Sequence, residues 1–119
     1  MYRILLVEDD IEFRSSLVDV LLAAYPHVSI LEAGCGREAL DVFKATSPDL
    51  VFMDIGLPDT DGLDLTRKIR ELDPDARVII LTGHNSPEYR CAAETAGASG
   101  YVWKGEPSRV LLGLVGATS

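Results

Sequence analysis

Five apolar, strand-sized runs alternate with five segments of helical periodicity, and this alternation constrains the fold of the 119-residue chain more than any other feature. Most of the runs are continuously apolar, which is typical of parallel strands that are buried on both faces. Helices between consecutive strands imply right-handed crossovers onto one parallel sheet. We therefore predict a single α/β domain over residues 1–119. The predicted strands are Arg3–Glu8, Val28–Ala33, Leu50–Asp54, Arg77–Thr82 and Tyr101–Lys104.

Capping residues and side-chain spacing predict where helices begin and end and which residues lie on each face. Ser86 followed by Pro87 predicts the N-terminus of the fourth helix, and Gly97 predicts its end. On the third helix, Asp64 and Lys68 lie four residues apart and are predicted to pair on the outer face. The fourth helix is expected to pack weakly, because its inward-facing candidates bury little area. These candidates are Cys91, Ala92, Ala93 and Ala96.

Composition excludes several classes of function. Nineteen acidic and eleven basic residues give a net charge of −8, and this field repels DNA and RNA, so the domain alone is not expected to bind nucleic acid. No apolar run approaches the roughly 20 residues of a membrane span, and the N-terminus does not resemble a signal peptide. The two cysteines, Cys35 and Cys91, are too few for a disulfide or metal framework. We therefore expect a cytoplasmic protein.

Groups capable of chemistry follow the predicted strands at their carboxyl ends, where open parallel sheets bind ligands. They are the carboxylates of Glu8, Asp9, Asp10 and Asp54, the hydroxyl of Thr82 and the ammonium of Lys104. Clustered carboxylates repel one another, and a hard divalent cation such as Mg²⁺ relieves that repulsion. A carboxylate beside such an ion can attack phosphorus, while a lysine neutralises the transferred group and a hydroxyl donates to its oxygens.

Four motifs at these strand ends resemble those of bacterial two-component receiver domains, and the resemblance covers essentially the whole chain. The motifs are Leu5–Asp10, Met53–Pro58 with Asp61-Gly62, Leu81–Gly83 and Gly100–Lys104. The resemblance implies a flavodoxin-like (βα)5 three-layer sandwich with strand order 2-1-3-4-5.

The resemblance also implies roles for individual residues. These are Asp54 as phospho-acceptor, Glu8, Asp9, Asp54 and the Gly56 carbonyl as Mg²⁺ ligands, Lys104 and Thr82 as phosphoryl contacts, and Thr82 with Tyr101 as the switch. The implied function is a signalling switch rather than an enzyme: it takes a phosphoryl group from a sensor histidine kinase and catalyses only its own phosphorylation and slow dephosphorylation. Its fourth helix, fifth strand and fifth helix would form the surface that changes, and the family also admits a homodimer through that surface.

Several residues have plainer interpretations. Gly105 stands where the family usually has a proline after a cis bond, so we expect a trans bond here. Asp10 is interpreted as a helix cap in preference to a metal ligand. Trp103 is interpreted as a packing residue beneath the fourth helix. Asp59 and Asp61 are interpreted as loop and cap residues that lead into the third helix.

Three other functions are weighed against the receiver. The G-x-G-x-x-A pattern of Gly34–Ala39 is typical of dinucleotide binding, but it would follow an edge strand and reads as a turn before a helix. The DxD of Asp59–Asp61 is shared with haloacid-dehalogenase-like phosphotransferases, whose motif directly ends a strand, whereas here Gly56–Pro58 intervenes. A pseudo-receiver that is never phosphorylated is the third alternative, and the intact set of polar residues argues against it.

The predicted fifth helix is short and glycine-bearing. Gly113 and Gly116 each disfavour a helix by about 1 kcal/mol relative to alanine. We expect the natural protein to continue beyond Ser119 into an output domain, which the resemblance suggests is of the LuxR helix-turn-helix type. A stand-alone receiver is the alternative.

Overall fold

A computed structural model describes residues 2–118, in which strands and helices alternate as predicted. The strands are β1 (Arg3–Val7), β2 (Ser29–Ala33), β3 (Leu50–Asp54), β4 (Val78–Thr82) and β5 (Gly100–Trp103). The helices are α1 (Ile11–Ala24), α2 (Gly36–Thr46), α3 (Gly62–Leu72), α4 (Pro87–Thr95) and α5 (Ser108–Thr118).

The five strands form one parallel sheet in the order β2-β1-β3-β4-β5, which confirms the predicted flavodoxin-like topology. Predicted strand ends are within one residue of those observed. The differences at Glu8 and Lys104 are small in physical terms, because each backbone N–H still bonds to the neighbouring strand. Glu8 N donates to the Ala33 carbonyl at 3.0 Å, and Lys104 N donates to the Thr82 carbonyl at 2.7 Å.

Both faces of the sheet are covered, which is why the central strands β3 and β4 are apolar up to their last residues. In β1, Leu5 and Val7 pack in the core beneath α2, α3 and α4, whereas Ile4 and Leu6 pack in the core beneath α1 and α5. The central strands β3 and β4 are buried along their full length. Polar groups therefore lie at the carboxyl edge of the sheet, where the strands end and the loops begin.

Helix α4 has the predicted ends and, except for Cys91, the predicted inner face, with Ala92 partly buried against the core. The Ser86 hydroxyl caps it, and Gly97 follows it with φ of +96°, as expected for a residue after a helix end. Ala93 and Ala96 are buried, but Cys91 is exposed, so its predicted inward position is wrong. Spacings of four and three residues place Tyr89, Ala93 and Ala96 on the inner face, which turns position 91 outward.

Two further predictions about side chains are wrong. On α3, Asp64 pairs with Arg67, three residues along, rather than with Lys68. Trp103 does not pack beneath α4: it lines a groove shared with α1 and α5, and its ring covers Gly105, where a Cβ would lie 2.5 Å from ring carbon Cζ2. The expected trans bond before Gly105 is confirmed, since residues 2–118 contain no cis peptide. Across the same residues, the helices are too short or too polar to cross a membrane.

Candidate functional site

Three acidic side chains meet at the carboxyl edge of the sheet. Strands β1 and β3 are neighbours with Val7 opposite Met53, so the next residues, Glu8 and Asp54, lie side by side. One carboxylate oxygen from each of Glu8, Asp9 and Asp54 lies within 4.8 Å of the others. The structure therefore brings together the three acids that the sequence placed at the ends of two strands.

Two of these acids are buried, which makes their charge expensive to leave uncompensated. The exposed fraction is 1% for Glu8 and 7% for Asp54, whereas Asp9 is exposed. Lys104 supplies the compensation: its ammonium donates a hydrogen bond to Glu8 Oε1 and lies 3.5 Å from Asp54 Oδ1. The same ammonium lies 4.6 Å from the centre of the Phe13 ring, at cation–π distance.

Burial is the largest single influence on the pKa of Glu8 and on that of Lys104, but it decides the direction only for Glu8. It raises the pKa of Glu8 to about 7, against the hydrogen bond from Lys104, which lowers it; the neighbouring carboxyl of Asp54 raises it further. Burial by itself lowers the pKa of Lys104, but the hydrogen bond to Glu8 and the charge of Asp54 outweigh it, so the pKa of Lys104 is raised. One ammonium thus faces three carboxylates, and the site is short of positive charge.

The donor set fits a hard divalent cation. The cluster offers only carboxylate oxygens, with no nitrogen or sulfur ligand, and this is the chemistry that Mg²⁺ selects. A cation would balance the negative charge of the carboxylates that Lys104 alone leaves uncompensated. The structure therefore supports the predicted acidic metal site in its donor chemistry.

The loop 55–61 folds back onto the end of β3. Gly62 N donates to the Ile55 carbonyl at 2.8 Å, and Gly56 pairs with Asp61 in an isolated antiparallel bridge. Only glycine fits at 62, because a Cβ there would lie 2.0 Å from the Asp54 carbonyl oxygen. This tight return sets the position of Gly56 relative to Asp54.

Helix caps fix the segments on either side of the acids. Asp10 accepts from Glu12 N and Phe13 N at 3.0 and 3.2 Å, which confirms its interpretation as the cap of α1. Asp61 accepts from Leu63 N at 2.7 Å and caps α3, as predicted. These carboxylates start helices immediately beyond β1 and loop 55–61, so the flanking backbone is held close to the site.

Loop 83–86, between β4 and α4, is held by a chain of side chains. Buried Thr82 accepts a hydrogen bond from His84 N at 3.1 Å, and the Tyr101 hydroxyl donates to the His84 carbonyl. The His84 ring stacks on Tyr89 of α4 with centroids 4.5 Å apart, while the Arg90 guanidinium lies 4.8 Å from the Tyr101 ring centre. Thr82 and Tyr101 are therefore linked through one residue, His84.

Three contacts at the site escaped prediction. Phe13 lies against the Lys104 ammonium, and Arg14 Nη1 donates to the Glu8 carbonyl at 2.7 Å. Asp59, which was interpreted as a loop residue leading into α3, instead caps the N-terminus of α2. None of these carries a local signal, since each joins residues at least six positions apart that belong to different segments.

A family model of the response regulator receiver domain matches residues 4–115. The chain belongs to this family. Receiver domains are the phospho-acceptor switches of two-component systems, and they interact with histidine kinases. The acidic pocket of Glu8, Asp9 and Asp54 fits aspartate phosphorylation with Mg²⁺.

Curated relatives include proteins that this chain covers almost entirely and proteins that it covers only in part. The chain is 42% identical over 105 residues to the DNA-binding transcriptional activator DevR/DosR of Mycobacterium tuberculosis, covering 87% of this chain and 48% of that protein. It is 36% identical over 110 residues to the chemotaxis protein CheY of Thermotoga maritima, covering 92% and 91%. The chain thus spans about half of the first relative and nearly all of the second.

Solved structures agree with the receiver fold. A LuxR-family two-component response regulator from Aurantimonas matches with a TM-score of 0.89 and 36% identity, over 97% of this chain and 82% of that one. A CheY-like receiver domain protein from Methanospirillum hungatei matches with a TM-score of 0.89 and 30% identity, over 98% and 92%.

The receiver assignment also explains the rival motifs. The Gly34–Gly36 turn leads from edge strand β2 into α2, so the glycine pattern does not lie where the strand order reverses. The acids of Asp59–Asp61 cap two helices and do not end a strand. Both patterns are structural elements of the receiver domain.

Proposed function

We propose that Asp54 is the residue of this receiver domain that takes the phosphoryl group. The observation that carries the proposal is the convergence of Asp54 with Glu8, Asp9 and Lys104 at one sheet edge. An Asp54 oxygen forms the bond to phosphorus as the bond from phosphorus to the donor nitrogen of a kinase phosphohistidine breaks. The imidazole departs and takes up a proton.

Glu8, Asp9, Asp54 and the Gly56 carbonyl are proposed to hold Mg²⁺, which would supply positive charge to the phosphoryl oxygens. Lys104, whose Nζ lies 3.5 Å from Asp54 Oδ1, is near enough to pair with a phosphoryl oxygen. The Thr82 hydroxyl accepts from His84 N, so its own proton remains for donation to another oxygen. These residues stabilise the transferred charge by position, which is most of what phosphoryl transfer requires.

Thr82 and Tyr101 are proposed to carry the signal outward. Movement of Thr82 toward a phosphoryl oxygen would disturb His84, which binds the Tyr101 hydroxyl and stacks on α4. The surface of α4, β5 and α5 would then shift between two existing states. We propose that a homodimer forms through this surface, and that the domain works in the cytoplasm without binding nucleic acid itself.

The proposed catalysis is limited to self-phosphorylation and slow self-dephosphorylation. Incubation with acetyl phosphate and Mg²⁺, followed by intact mass measurement, should show one added phosphoryl group per chain. Asp54→Asn and chelation of the metal should each abolish the adduct, while Asp49→Asn, at the opposite sheet edge, should keep it. Full labelling of the Asp54→Asn variant would overturn the assignment, and repeated hydrolysis of phosphate esters would favour the phosphotransferase alternative. No labelling of the wild type would favour the pseudo-receiver.

A further inference from the structure

The N-terminus of helix α2 is capped by a residue from a distant loop. Its own N-cap residue, Cys35, makes no side-chain capping bond. Asp59, from loop 55–61, fills this role with both carboxylate oxygens: Oδ1 accepts from Gly36 N at 2.7 Å, and Oδ2 accepts from Arg37 N at 3.0 Å. These backbone bonds lower the pKa of Asp59, as expected for a carboxylate that is bound in its charged form.

The contact between the loop and α2 is also close sterically. A Cβ at Gly36 would lie 2.2 Å from Thr60 Cγ2 and 3.2 Å from Asp59 Oδ1. Glycine at the first position of α2 therefore lets the loop tip rest directly on the helix. The bidentate bond and this packing act on adjacent residues of the loop, so the tip is fixed in both direction and distance.

The opposite side of the same loop faces the phospho-acceptor. Gly56 and Asp61 are bridged across the loop, and Gly62 is pressed against the Asp54 carbonyl. Loop 55–61 is thus closed at its base on β3 and tied at its tip to α2. A displacement of the tip would be carried to Gly56 through this short, closed segment.

We propose that Asp59 is a positioning residue for the metal site, because its cap on α2 holds the Gly56 carbonyl in place for Mg²⁺. The inference rests on the proposed ligand role of Gly56. A ligand held in place before binding loses less freedom when the ion arrives, and residues that support metal ligands are important for affinity for this reason.

Mg²⁺ titration calorimetry of three variants of the whole chain tests the inference. Asp59→Ala should raise the Mg²⁺ Kd about tenfold, the lower end of the loss on removing outer supports of metal ligands. Asp59→Asn retains one acceptor oxygen without the charge and should recover most of the affinity. Asp49→Ala is the matched control, because Asp49 also binds a distant backbone N–H, that of Arg3 at 2.7 Å, but at the opposite sheet edge.

The outcomes separate capping from charge and from general stability. Asp49→Ala should change the Mg²⁺ Kd by less than about twofold, since distant sites do not couple. An unchanged Kd in Asp59→Ala would overturn the inference, and so would an Asp59→Asn variant as weak as alanine, which would assign the effect to charge. A wild type that binds no Mg²⁺ would instead overturn the proposed metal site, and the inference with it.

Amide hydrogen exchange of the wild type tests the same coupling without a substitution. Linkage is reciprocal, so Mg²⁺ should slow exchange at Gly36 and Arg37 by about the factor that Asp59 contributes to Mg²⁺ binding, roughly tenfold. Exchange at Tyr89, whose N–H is capped by Ser86 at the start of α4, provides the internal comparison. Equal exchange at Gly36 with and without Mg²⁺ would contradict the inference.

Discussion

Loops 55–61 and 83–86 line the same cavity beside Asp54, but the two are held in opposite ways. Loop 55–61 is fixed at both ends, with Gly62 packed against the Asp54 carbonyl and the Asp59 carboxylate bound to the first backbone N–H groups of α2. Loop 83–86 is exposed and is held through the single residue His84, and the space around Gly83 is open. One wall of the cavity is therefore rigid and the other can move.

The helices that follow the two loops also differ in how firmly they pack against the sheet. Helix α3 buries Leu63, Leu65 and Ile69, whereas Ala93 is the buried residue of α4. Since stabilisation follows the apolar area removed from water, α4 is held more weakly. A metal site needs fixed ligands and a switch needs a soft element, and this domain places the two on opposite sides of one carboxylate.

Alanine at Gly62, which directly follows loop 55–61, and at Gly83 should give the largest contrast in stability. Gly62→Ala should destabilise the fold by about 3 kcal/mol, because its Cβ would meet the Asp54 carbonyl oxygen at 2.0 Å. Gly83→Ala, which has open space, should change stability by no more than about 0.5 kcal/mol. Urea unfolding of both variants measures the difference. Equal losses would mean that the two loops are equally constrained.

The pH dependence of stability should come from Glu8 in the acidic cluster and not from loop 83–86. The folded-state pKa of Glu8, about 7, lies above its ordinary 4.5, so the contribution is fully present below pH 4.5 and is lost as pH rises through 7. At about 1.36 kcal/mol per unit, the loss is at most roughly 3 kcal/mol. In chelator, Glu8→Gln should flatten the curve of unfolding free energy between pH 4.5 and 8, while Tyr101→Phe should not. Parallel curves for wild type and Glu8→Gln would contradict this.

Mg²⁺ should act on the same acidic cluster, with a smaller effect on stability. At ten times its Kd, an ion that binds only the folded state stabilises by roughly 1.4 kcal/mol. Removing one ligand in Asp9→Ala should abolish most of that gain, and thermal melts with and without the ion measure it. An equal Mg²⁺-dependent shift in both proteins would remove Asp9 from the site.

Loss of the Tyr101 hydroxyl should give the smallest effect, on the soft side only. Tyr101→Phe removes the hydrogen bond to the His84 carbonyl, worth about 1 kcal/mol. Local opening of α4 should become about fivefold more frequent, as this free energy implies, and exchange in α3 should stay unchanged. Hydrogen exchange of Ala93 and Ile69 amides makes the comparison. Faster exchange at both would show that the two sides are coupled.

Local features were predicted well and long-range side-chain contacts were not. Strand ends were correct within one residue because a buried parallel strand must be apolar along its length. Asp10 and Ser86 were correct as caps because a cap bonds to residues two or three positions away. Cys91 failed because the inner face of a helix is chosen by packing, and its alanine neighbours look equally buried in sequence. Asp59 failed because its partner lies 23 residues away.

The sequence by itself determined the alternation of strands and helices, the family and the set of chemical groups at the sheet edge, because these features are local and ordered along the chain. The strand order followed from the family resemblance, and the structure confirms it. Only the tertiary structure decided that Lys104 binds Glu8, that Phe13 lies against its ammonium, and that Asp59 ties its loop to α2. These contacts depend on the distances and directions between separate elements. Such distances exist only after the layers have packed, so no pattern along the chain encodes them directly.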